Sequence, residues 1–150
     1  MLISLAVVLG GLSLYLNRDW FGSDNIQIYH RSRPAGLFRR KRTGSAGADN
    51  SAANPIVFGF GQKLRLTEVK VVPLSELLTN KYARPVWHLV SESNSVPIKD
   101  FGYGMSISGM HPSVRGATAD PLQPGEKYRL FVEAGPTKAE HDFIPTSRRP

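Results

Sequence analysis

The sequence contains no cysteine. That excludes disulfides, thiolate metal sites, a cysteine nucleophile and a lipoprotein anchor, and it leaves the compartment open. Histidine is scarce. The four residues His30, His88, His111 and His141 show neither the i, i+4 helical spacing nor the close strand spacing of a zinc site. In a strand, His141 and Asp142 would point to opposite faces and could not share a metal ion. There is no Gly-x-Ser-x-Gly elbow and no glycine loop of the kind that cradles phosphate. Glu92 and Asp100 flank a turn and read as solvated charges. The sequence therefore predicts no enzyme, no cofactor, no metal and no small-molecule substrate.

Acidic residues are also few, 12 against 19 Lys and Arg, which gives a net charge of +7. The excess is uneven. Residues 1–42 hold seven cations and two anions, whereas the other 108 hold twelve and ten. The high charge thus belongs to an arm and not to the body of the chain.

The one long apolar run is Leu2 to Leu16. As a helix it would extend about 22 Å, short of a hydrocarbon core of about 30 Å. Continuing to Trp20 and Phe21 brings it close to spanning, with Arg18 snorkelling and Trp20 at the lipid interface. No small-x-small cleavage site follows Leu16, and apolar residues surround the helix. The expectation is an uncleaved single-pass transmembrane anchor over residues 1–22, set against a cleaved signal peptide or a buried helix. Basic residues follow the run and none precede it, which by the positive-inside tendency would place the C-terminal domain in the cytoplasm. The nearest cluster begins only at Arg31, and the preferred reading is an exported, periplasmic or otherwise extracytoplasmic domain.

Residues 23–54 read as a basic low-complexity linker with a short strand over 26–31, where Ile26, Ile28 and His30 alternate. Its Arg39-Arg40-Lys41-Arg42 run reads either as a solvated face or as a contact with anionic lipid or an acidic neighbouring subunit. Nucleic acid fits poorly, because the run has no interleaved aromatics.

From residue 55 to 145 the pattern is that of short strands separated by Gly/Pro turns, an all-β antiparallel sandwich. The best-patterned stretch is Pro121 to Gly135. A Gln123-Pro124-Gly125-Glu126 turn precedes alternation that places Tyr128, Leu130 and Val132 on one face and Lys127, Arg129 and Glu133 on the other. Leu64 to Val72 reads as one strand with a phase slip near Thr67-Glu68. Leu74 to Thr79 reads as a helical turn, and Pro85 to Ser91 as a strand with Trp87 and Leu89 on one side. Pro97 to Ile107 reads as a strand, Gly109 to Gln123 as loop, and Ala139 to Ile144 as a terminal strand before a tail at 146–150. Gly59-Phe60-Gly61 and Gly102-Tyr103-Gly104, in strand-like surroundings, signal bulges or close backbone approach. Phe101, Tyr103 and Met105 read either as core and corner packing or as a docking face.

These residues resemble a fibronectin type III or related immunoglobulin-like module. The likeness rests on Leu122-x-Pro124-Gly125-x-x-Tyr128-x-Leu130-x-Val132, on Trp87, and on Pro97-Ile98-x-x-Phe101-x-Tyr103. The resemblance implies that Leu122 and Tyr128 pair in the core, with the Tyr128 hydroxyl bonding back to the chain. It also implies that Trp87 is the core Trp of an early strand and that Leu64 to Val72 supplies the first. It implies no activity, since the fold hosts many roles. Together the features predict a noncatalytic, membrane-anchored accessory subunit whose sandwich docks on and stabilises a larger membrane protein complex. The alternative is a secreted or periplasmic module binding a peptide, a glycan or a surface polymer.

Overall fold

The computed structural model describes residues 26–32, 53–80, 82–93 and 95–147. The anchor expected over 1–22, with Trp20, and the Arg39–Arg42 run lie outside them. Among the described residues no helix is long and apolar enough to cross a membrane.

The chain forms two antiparallel sheets. Strands β1 (Ile28–Ser32), β2 (Ile56–Leu64) and β5 (Ile98–Gly102) make a three-stranded sheet in the order β1-β2-β5. Strands β3 (Glu68–Pro73), β4 (Trp87–Val90), β6 (His111–Pro112), β7 (Tyr128–Ala134) and β8 (Thr137–Phe143) make a five-stranded one in the order β6-β4-β3-β7-β8. A short helix, α1 (Leu74–Thr79), joins β3 to β4.

Alternation decides which residues fill the space between the sheets. Strand β7 buries Tyr128, Leu130 and Val132, β4 buries Trp87 and Leu89, and β3 buries Val69 and Val71. They face Ile56, Phe58, Phe60 and Phe101 from the smaller sheet, and Leu122 and Phe143 complete the cluster. The aromatic rings interlock. Phe101 lies 5.5 Å from Phe58, 5.7 Å from Phe60 and 5.9 Å from Trp87, and Phe143 stacks on Tyr128 at 5.7 Å. Offset and edge contacts at these distances add to the burial of apolar area that holds the sheets together.

The structure redraws several boundaries. Leu64 to Val72 is two strands, not one: the phase slip is a sheet-crossing connection at 65–67, disguised because Leu66 within it is fully buried. Trp87 consequently stands on the fourth strand and not on an early one. Strand β5 ends at Gly102, and Ile107 reaches the core from the loop that follows. The short strand near 26–31 belongs to the sandwich, because β1 pairs with β2 in the register Ile28↔Phe60 through Ser32↔Ile56. The basic segment 33–52 therefore joins two adjacent strands; it does not precede the sandwich.

Of the four glycines, Gly59 and Gly102 mark close approach, Gly61 lies where the β2–β5 register shifts, and Gly104 takes a left-handed turn conformation beyond the end of β5. Tyr29 lies across its cross-strand partner Gly59, and the Met105 side chain covers Gly102. A Cβ at either position would run into those atoms, which is why the chain has none there.

A candidate docking end

Strand directions give the sandwich two unlike ends. At one, Gln27 accepts from the Gly61 N–H, the chain passes from Leu64 to Glu68, and Arg65 Nη1 donates to the Ser95 carbonyl at 3.2 Å. Residue 26 enters here. At the other end β1 stops at Ser32, β2 begins next to Ala53, and β3 and β4 are joined through α1. The 113–127 loop leads into β7 there, and β8 runs out at Phe143.

That second end is stitched by backbone and side-chain bonds. Ala53 and Ser147 form an isolated antiparallel bridge. Asn54 Nδ2 donates to Thr146 Oγ1 at 3.0 Å and to the Ser147 carbonyl at 3.1 Å. The Gly125 N–H donates to the Pro145 carbonyl at 3.0 Å. Gly125 has a φ of 83°, a left-handed conformation that glycine adopts without strain, so the Pro124-Gly125 turn forms where the sequence signalled it.

Two tyrosines lock the loops. The Tyr128 hydroxyl accepts the Gln123 N–H at 3.0 Å and donates to Glu126 Oε2 at 3.1 Å, while Ser75 Oγ donates to Glu126 Oε1 at 2.9 Å. Glu126 thus ties the corner of β7 to helix α1. The Tyr103 hydroxyl donates to the Asp120 carbonyl at 2.7 Å, and its ring stands edge-on to Trp87 at 5.2 Å. Burial pushes the Tyr103 phenol far up, with the Asp120 charge adding to it. Burial, followed by Glu126, also raises that of Tyr128. Both stay protonated donors. Phe101 is 6% exposed and Tyr103 is half-buried, so these two pack the core and the corner. Met105, at 44%, is the exposed one of the three.

Cation-rich segments of the sequence leave the sandwich at this end. By sequence, segment 33–52 holds five cations and one anion, the connection 74–86 holds two and one, and 113–127 holds two of each. The tail after Ser147 adds Arg148 and Arg149. Those four segments together carry +7, and the charges of the remaining residues cancel in total. Leu78 and Tyr82 project from the same end at 80% and 83% exposure, with Val114 and Ile144 also exposed. Sequence reasoning found the basic run but not these apolar tips, because Leu78 sits in an LSELLT stretch that looks like packing.

The outer face of the larger sheet is, by contrast, self-neutralised. Arg129 bonds Asp142 through Nε at 2.6 Å and Nη2 at 3.1 Å, and Lys127 reaches the same carboxylate at 3.1 Å. The Arg129 bonds first, and Lys127 next, hold the Asp142 carboxyl down to about 2. Lys138 pairs with Glu133 at 2.6 Å, and His88 with Glu68 at 2.7 Å. Among the described residues no three His, Asp or Glu side chains group closely enough to hold a metal ion. The chain matches no protein-family model, no curated protein and no solved structure.

Proposed function

We propose that the chain is a noncatalytic accessory subunit, held in a membrane by residues 1–22 and presenting its cationic end to an acidic face of a larger membrane assembly. The observation that supports this is the polarity of the sandwich. Residue 26, a few positions from the proposed anchor, enters at one end, and the segments that carry the excess of cations in the sequence leave from the other.

The counterpart we assign to Arg39, Arg40, Lys41 and Arg42 is a protein surface, because the segment that carries them is bounded by Ser32 and Ala53, at the end of the sandwich opposite residue 26. The lipid contacts in this reading are those of the helix, with Trp20 at the interface. The sandwich itself we read as fibronectin type III-like. The two sheets β1-β2-β5 and β6-β4-β3-β7-β8, and the bond from the Gln123 N–H to the Tyr128 hydroxyl, support that reading.

Isolation from native membranes in mild detergent tests the reading. The chain is expected to co-migrate with a larger assembly, to lose it when Arg39, Arg40, Lys41 and Arg42 are changed together to Ser, and to keep it when Lys138 is. A deletion of residues 1–22 is expected to release the domain from the membrane fraction. A lone monomer in native membranes would sink the proposal.

A further inference from the structure

His30 and His141 stand 111 residues apart in sequence, yet Nδ1 of the first lies 2.7 Å from Nε2 of the second, with ring centroids 5.0 Å apart. They occupy inward positions on β1 and β8, the edge strands of the two sheets, which are not paired to each other. Between those edges the imidazole pair is the direct polar link. We propose that it is a proton-operated latch on the seam between the sheets.

The bond needs one imidazole to donate and one to accept. A neutral pair satisfies that, and so does a pair carrying one added proton. A doubly protonated pair has no acceptor and sets two cations face to face. The surroundings offer no relief. His30 is flanked on its face by Ile28 and Ser32 and lies opposite Phe58, while His141 is flanked by Ala139 and Phe143 and lies opposite Leu130. Arg31 and Tyr29 on β1 and Glu140 on β8 occupy the outer faces. Asp142, also facing out, is engaged by Arg129 and Lys127. Among the described residues no carboxylate faces the pair. Burial first, and His30 second, lower the pKa of His141, against a weaker opposing pull from Asp142.

The sign follows. Because the folded His141 binds its proton less readily than the unfolded one, its contribution is complete above about pH 6.5 and is lost as pH falls below that. Uptake of the second proton opens the seam, leaving β1 held by β2 alone while the five-stranded sheet stays whole.

Spin labels on the full chain in mild detergent, at Arg31→Cys and Glu140→Cys, read the seam directly, and the absence of native cysteine makes the labelling clean. The wild-type distance is expected to be narrow at pH 8 and to lengthen and broaden by pH 5. In His141→Gln it stays narrow throughout, because an amide can either donate or accept whatever the charge on His30. In parallel, the wild-type folding constant falls by up to about tenfold per pH unit below pH 6.5, and the variant lacks that component. His30→Gln serves as the second variant should His141→Gln fail to fold. Identical pH responses in wild type and variants would overturn the latch. So would a Zn2+-dependent rise in stability at pH 7.5 that His141→Gln abolishes, since a metal and not a proton would then operate the seam.

Discussion

The Tyr128 hydroxyl takes the N–H of Gln123, five residues upstream, and so fixes the loop that delivers β7 to the core. Removing only that oxygen, in Tyr128→Phe, leaves a partly buried N–H without its acceptor and frees Glu126 from one of its two donors. A loss of about 1–3 kcal/mol in urea unfolding is expected, with the strand itself retained.

Trp87 touches both halves of the sandwich, Phe101 across the core and Tyr103 at the corner. Trp87→Ala should cost about 3–5 kcal/mol through the cavity it leaves, enough to unfold a domain of ordinary stability. Circular dichroism against denaturant checks this, and an unfolding midpoint near that of the parent would remove Trp87 from the core account.

The Arg129–Asp142 pair makes a separate acid prediction. Asp142 is held near 2, below its unfolded value of about 3.9, so its stabilisation is present above pH 4 and disappears as pH falls towards 2. For a partly exposed pair this amounts to about 1 kcal/mol. Arg129→Met should remove that fraction of the acid dependence while leaving the histidine-dependent loss near pH 6 in place.

Segment 33–52 bridges two strands that are already neighbours, so its length adds to the entropic cost of closing that connection. Replacing it with a four-residue turn is expected to stabilise the sandwich by about 1 kcal/mol, since each doubling of loop length costs about 0.6 kcal/mol. A destabilised product, measured by thermal unfolding, would mean that the segment packs on the body.

How much of this the sequence disclosed depended on range. Tyr128, Leu130 and Val132 announced their face by strict alternation beside a Pro-Gly turn, and Trp87 with Leu89 did likewise. Leu122, in a stretch that reads as loop, was expected in the core only through the resemblance of Leu122-x-Pro124-Gly125-x-x-Tyr128 to a fibronectin type III corner. The break between β2 and β3 was hidden because Arg65-Leu66-Thr67 has neither Gly nor Pro and buries its leucine. Strand β6 has two residues, one of them proline, and no periodicity can show in so short a span. His30 carried half a signal: its phase with Ile26 and Ile28 marked it as inward. Its partner could be found only once the sheets were assembled, because nothing local to either residue encodes a contact across the whole fold.

The Ala53–Ser147 bridge has a practical bearing on how the protein is handled. It makes Ala53 and Ser147 neighbouring points of departure from one rim, opposite the end where residue 26 enters. On the proposed reading, a bulky fusion carried beyond Ser147 would crowd the surface offered to a partner, and one carried ahead of residue 26 would leave that surface clear. Mislocalisation or failed assembly seen with only the first fusion would then report steric occlusion, not loss of folding.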